Sequence, residues 1–301
     1  MPFTVKIEEI TAFSPSSKGE NDKNNKIREA TIDAIINGTV PEDYFADSRW
    51  SQLRTRVHEF VQQLGFGPDT KIKCVSKGGR KFNYDFCFES YDNETQLLLQ
   101  TRNIELKFNA ATIDDAPQFV SPVKPSQYMD ASYEEFYYDN YLPQLSTASG
   151  IPIPERSVYL AQLHSNKPKC VMAFQAQYYR GCLSSSKYTG AETDIAFYEL
   201  AKRVSKESIT GFIMTTNLSA AALSEYLAKS QNEKIYMLYR DDRFTLQTAN
   251  MDDYVIESVA KNPELNRYEC VSKSGKKINV LLRWKNGNGI AFPAFQISGA
   301  K

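Results

Sequence analysis

Three residues offer chemistry at a usable spacing: Asp85, Glu105 and Lys107. Asp85 stands in an alternating stretch, KFNYDFCFE. Phe82, Tyr84, Phe86 and Phe88 share one parity there, and Asn83, Asp85, Cys87 and Glu89 share the other. Glu105 and Lys107 stand in a second such stretch, NIELKFN. Here Ile104, Leu106 and Phe108 are apolar, and Asn103, Glu105, Lys107 and Asn109 point the opposite way. Side chains alternate faces along a strand, so each stretch reads as a half-buried strand with one apolar and one polar face. The polar segment 90–95 between them has the composition of a turn. Paired as a hairpin, the strands gather Asp85, Glu105 and Lys107 on one polar face. Two carboxylates and a lysine so arranged are the set a metal-dependent phosphodiesterase needs.

Several elements must position that set. Trp50, Leu53, Val57, Phe60, Val61 and Leu64 recur at helical spacing. They predict a helix over 49–64, capped by Asp47 or Ser48 and closed by Gly65. Its polar face carries Arg49, Arg54, Arg56 and Glu59, with Glu59 a candidate extra ligand for a metal or water. The Lys77-Gly78-Gly79-Arg80 stretch reads as a tight turn between strands at 71–76 and 81–89, because glycine supplies positive φ. With 98–109, this makes a helix followed by three antiparallel strands.

Further along, short strands are expected at 3–13, 169–179, 209–215 and 234–240. Helices are expected at 26–37, 133–142 (stopped by Pro143), 191–206 and 218–229. The succession of strand 209–215, helix 218–229 and strand 234–240 suggests a parallel crossover. The C-terminal part is strand-rich, with turns at Ser274-Gly275 and at 286–289, and Pro293 restricts its last strand to an edge. CVSKGGRKFN at 74–83 echoes CVSKSGKKIN at 270–279, but Leu281 stands where the first copy has Asp85. Two hairpins with the same turn and basic flank account for the echo. The expected class is mixed α+β and α/β. The expectation is a single domain with its core at about 41–109 and 209–245, an insertion at 110–208 and a hairpin-rich part at 246–301.

Composition narrows the chemistry. The chain has 301 residues, and Lys plus Arg balance Asp plus Glu at 36 each. Zero net charge argues against a protein that coats nucleic acid indiscriminately, and leaves room for a local basic face. Two histidines, His58 and His164, disfavour zinc enzymes and most Ser-His or Cys-His triads. No G-x-x-x-x-G-K-[ST] or G-x-G-x-x-G occurs, so nucleotide binding has no handle. Five scattered cysteines without a C-x-x-C pair suggest reduced thiols in an intracellular protein. No apolar run approaches membrane-spanning length.

Asp85, a gap of twenty positions and then Glu105-Leu106-Lys107 resembles the PD-(D/E)xK nuclease superfamily, which includes many type II restriction endonucleases. The resemblance covers about residues 48–109. The family's core order of helix, three strands, helix, strand matches the expected elements. Asp85 follows Tyr84 where the motif's spelling has proline. Pro68-Asp69 and Asp69-Thr70-Lys71 spell similar letters, but no strand alternation supports them. The resemblance implies a restriction-endonuclease-like core in which Asp85, Glu105 and the Leu106 carbonyl bind Mg²⁺. It implies that Lys107 orients the attacking water and balances charge. It also implies double-stranded DNA as substrate and a homodimer matched to a palindromic site. Phosphate contacts fall to Arg54, Arg56, Lys77, Arg80 and Lys81, with Arg180 and Lys285 as further cations. Two alternatives stay open: a repair or RNA nuclease on the same core, and a non-catalytic β-rich interaction or assembly protein.

Overall fold

The chain runs through α1 (Asn21–Ile36), α2 (Ser48–Gln63), β1 (Thr70–Ser76), β2 (Phe86–Asp92), β3 (Leu98–Phe108) and β4 (Gln118–Phe119). There follow α3 (Tyr133–Asn140), α4 (Leu142–Ser149), α5 (Arg156–Gln162), α6 (Met172–Arg180), α7 (Glu192–Thr215) and α8 (Ala220–Asn232). It ends with β5 (Ile235–Arg240), β6 (Arg243–Gln247), β7 (Ile256–Asn262), β8 (Arg267–Ser272), β9 (Lys277–Trp284) and β10 (Pro293–Gly299). The structure is a computed structural model that describes residues 3–14, 21–77, 82–115, 118–119, 124–165, 168–182, 190–285 and 287–300. The class is mixed α+β. Where the sequence suggested one domain with an insertion, the chain divides into two compact units. The first is Met1–Ala116 with Ala228–Met251, and the second is Pro117–Leu227 with Asp252–Lys301.

The first unit is built on a five-stranded sheet of order β1-β2-β3-β5-β6. β1, β2 and β3 are antiparallel, β3 and β5 are parallel with Ile104 opposite Ile235, and β5–β6 is an antiparallel hairpin. α2 forms because its apolar residues keep one stripe, with Trp50, Leu53, Val57 and Phe60 all buried. The Asp47 carboxylate caps it by accepting from the Arg49 N–H at 2.8 Å. Gly65 ends it with a left-handed φ of 71°. That stripe packs with α1 and the 3₁₀ turn Ile7–Phe13 onto Phe86, Phe88, Ile104 and Met237 of the sheet. Asn37, just past α1, blunts the free edge of β1. Its side-chain amide donates to the Cys74 carbonyl and accepts from the Cys74 N–H, both at 3.0 Å.

Trp50 is fully buried, and its Nε1 donates to the Ile7 carbonyl at 2.8 Å. Trp50→Ala is expected to cost about 3–5 kcal/mol in denaturant unfolding. A loss below about 1 kcal/mol would show that this contact is not central to the core.

The second unit carries an antiparallel sheet of order β4-β10-β9-β8-β7. Tyr268, Val280, Leu282, Trp284 and Phe295 are buried. Trp284 Nε1 donates to the Tyr133 hydroxyl at 2.9 Å, and that hydroxyl also bonds Ser208 of α7 at 2.9 Å.

Several elements depart from the sequence expectation. Residues 3–13 hold a 3₁₀ turn in place of a strand, because Ile10 and Phe13 bury at a spacing of three. The expected strand 169–179 is helical: Val171, Phe174 and Tyr178 are the buried positions. The expected strand 209–215 is the end of α7, whose buried stripe continues through Ser208, Ile209, Phe212 and Ile213. The parallel partner of β5 is therefore β3. Pro143 does not stop the chain's helicity but occupies the first turn of α4, where its missing N–H is harmless. The Gly78-Gly79 turn and Asn286 lie outside the described residues. The two echoing segments occupy different sheets. The second is a four-residue turn joining β8 to β9, whereas the first spans a longer connection between β1 and β2.

Candidate active site

Regular strand structure in β2 begins one residue after Asp85. The Asp85 backbone is nevertheless tied to both neighbours. Its N–H donates to the Ile104 carbonyl at 2.9 Å, and its carbonyl accepts from the Lys77 N–H at 2.7 Å. Phe86 pairs with Ile104 in the ladder, and both side chains enter the core. Alternation therefore sends Asp85 and Glu105 to the opposite face, where Glu105 and Lys107 neighbour Tyr236 and Leu238 of β5. The apolar parity read from the sequence holds for Phe86, Phe88 and Ile104, whereas residues 82–85, expected in the same strand, precede β2, and Cys87, expected on the polar face, is buried.

Contacts among these groups are short. Asp85 Oδ2 accepts from the Leu106 N–H at 2.8 Å. Lys107 Nζ lies 2.6 Å from Glu105 Oε1, and Lys234 Nζ lies 3.7 Å from Glu105 Oε2. The Lys107 and Glu105 side chains are 15% exposed and Lys234 is 7% exposed. Water therefore screens these charges poorly.

Burial pushes the Asp85 carboxyl up to about 7, aided by the charges of Glu105 and then Glu29; the Leu106 N–H and Lys107 act against the rise. Glu29, half-buried on α1, is itself raised by burial and by Glu105. Burial lowers the Lys234 ammonium, against the pull of Glu105.

This donor set suits a hard cation. It is all oxygen and it concentrates negative charge away from water, a setting in which burial first, and the charge of Glu105 second, raise Asp85. Among the described residues no three His, Cys, Asp or Glu side chains gather into a complete metal cage. Two carboxylates are nonetheless the complement that Mg²⁺ commonly takes, since it keeps several waters and substrate oxygens.

Asp85, Glu105, Leu106 and Lys107 come together, and Glu59 does not join them. Glu59 sits exposed on α2, where Arg56 binds it at 2.9 Å. Glu29, whose charge acts on Asp85 without joining a cluster of three, and Lys234, the second cation beside Glu105, are the residues that the sequence reading missed. Lys234 stands one residue before β5, and its meeting with Glu105 is set by the pairing of β5 with β3. Glu29 had no sequence signal beyond lying on a polar helix face.

The expected phosphate-binding cations are locally engaged. Arg54 stacks on Phe45 at 3.8 Å and faces Glu42, and Arg56 holds Glu59. Lys77 lies 5.4 Å from the Phe82 ring. Arg180 pairs with Asp194 in the second unit, which also contains Lys285. Arg80 and Lys81 lie outside the described residues. Among the described residues no helix is long and apolar enough to cross a membrane. No protein-family model matches the chain, and no curated protein matches it.

Proposed function

We propose that this chain is a Mg²⁺-dependent endonuclease of the PD-(D/E)xK type that hydrolyses phosphodiester bonds in double-stranded DNA at selected sequences. The observation that carries the reading is the meeting of Asp85, Glu105 and Lys107 on one sheltered sheet face, where Asp85 bonds the Leu106 N–H and Lys107 pairs with Glu105. Order and direction of the elements support it. α2, antiparallel β1–β3, α8 and a β5 parallel to β3 follow the succession of that family's core.

Asp85 and Glu105 hold the cation in this reading, and the Leu106 carbonyl adds a contact. Bound there, Mg²⁺ supplies a polarised phosphate and a more acidic water. Lys107 Nζ orients the attacking water and offsets negative charge growing on the phosphoryl oxygens. Lys234 keeps a second positive charge beside Glu105. A homodimer brings two such sites to the two strands of a symmetric target.

The test is incubation of unmethylated duplex DNA with the full chain and Mg²⁺, beside Lys107→Ala. Discrete fragments are expected, and Lys107→Ala should lose about 10²–10³-fold in rate. The metal should also raise the melting temperature, and Asp85→Ala should abolish that gain. Cleavage of RNA in place of DNA would reassign the substrate. No cleavage of either with Mg²⁺ or Mn²⁺ would refute the nuclease reading and leave an interaction protein.

A further inference from the structure

Asp85 lies in segment 82–85, which has no regular strand structure, so the ladder alone does not hold its approach to Glu105. A dipeptide does. Glu233 and Lys234 are the two residues between the end of α8 and the start of β5. Glu233 Oε1 accepts from Asn83 Nδ2 at 3.0 Å, and the Glu233 carbonyl accepts from Asn103 Nδ2 at 2.9 Å. Lys234 Nζ donates to the Asn83 carbonyl at 2.7 Å and faces Glu105 Oε2 at 3.7 Å. Asn103 precedes Glu105 by two residues on β3, so the two share a face, and Asn83 stands two residues before Asp85 in the segment leading into β2. Both carboxylate-bearing segments are thus bonded to one short, backbone-anchored turn.

The geometry points to Glu233 and Lys234 as positioning residues that set the separation of the Asp85 and Glu105 carboxylates. This rests on the reading that those carboxylates hold a divalent cation. Neither residue touches the reacting atoms. Glu233 meets Asn83 through an acceptor oxygen, which an amide of the same shape also offers. Partners one step removed from metal ligands typically influence affinity by about 10–100-fold.

Two measurements on the full chain test it: Mn²⁺ affinity by electron paramagnetic resonance, and hydrogen exchange at the Asp85 and Leu106 amides in EDTA. These amides report on the Asp85 backbone and carboxylate, respectively. Glu233→Ala is expected to weaken Mn²⁺ binding about tenfold or more and to accelerate both exchanges. Glu233→Gln keeps the acceptor and should stay within about twofold of wild type on both. Asn83→Ala, which removes the side-chain bond to Glu233 and leaves Glu233 in place, should give an intermediate loss even if Glu233→Ala fails to fold. Wild-type behaviour in Glu233→Ala would overturn the proposal, as would a Glu233→Gln loss equal to that of Glu233→Ala. If wild type binds no Mn²⁺ while the exchange contrast persists, the brace stands and the metal reading falls.

Discussion

Asp85→Asn is expected to abolish DNA cleavage, by about 10³-fold or more, while making the metal-free protein more stable at pH 8. The two effects have one cause. Asp85 has an ordinary pKa of 3.8 and is pushed to about 7 by burial and by Glu105 and Glu29. Between those pH values the folded chain keeps a proton that the unfolded chain releases, so stability falls as pH rises through the window. Above pH 7 the full penalty is in place. Each pKa unit corresponds to about 1.4 kcal/mol, which sets a ceiling of about 4 kcal/mol on what the amide recovers. Asparagine keeps an oxygen for the Leu106 N–H and carries no charge to repel its neighbours. Thermal melts in EDTA at pH 5 and pH 8 check this: the variant's advantage should be large at pH 8 and shrink at pH 5. An advantage equal at both values would mean that the carboxylate is not held in a repulsive, desolvated setting.

Glu105→Gln should move stability the other way. Glu105 sits among cations, with Lys107 at one oxygen and Lys234 at the other, and both ammonium groups are mostly buried. At pH 6 Asp85 mostly holds its proton, so repulsion within the acidic pair is weak and the lysines dominate. Removing the charge they face leaves two cations with poor hydration, a change that costs about 2 kcal/mol or more in partly enclosed settings. Cleavage should vanish as well. Urea unfolding at pH 6 decides the matter: a Glu105→Gln variant as stable as wild type would mean that the lysines draw their support elsewhere. Two isosteric amide substitutions in one site, with opposite effects on stability and the same effect on activity, distinguish a working centre from a merely solvated sheet face.

What was legible in the sequence follows the range of the forces involved. α2 could be read because its apolar stripe is unbroken and its capping groups are sequence neighbours. Glu105 and Lys107 could be read because alternation along β3 is local, and Asp85 because it adjoins Phe86, the first residue of β2. Residues 172–180 and 209–215 could not. Their aromatic and β-branched residues favour strands in isolation, and only burial at helical intervals, with Phe174 and Tyr178 or Ser208 and Phe212 inward, reverses that. The β5–β6 turn was also missed, though Asp241-Asp242, both at positive φ, is a chemistry that such two-residue turns accept. Lys234 reaches the Asn83 carbonyl across 151 residues, and Glu29 approaches from a helix in another part of the chain. No local pattern encodes either encounter.

The first unit is discontinuous: Ile104 of β3 pairs with Ile235 of β5 only after the chain has passed through most of the second unit. During synthesis, Asp85 and Glu105 leave the ribosome well before Lys234 is translated. At typical elongation rates the interval is roughly ten seconds. Through it, the Ile104–Phe108 edge of β3 has no β5 to pair with, and the acidic pair lacks both Lys234 and the brace. The first unit is therefore completed only after residues 117–227 have been made, and until then the acidic pair stands without the strand and the lysine that flank it in the folded chain.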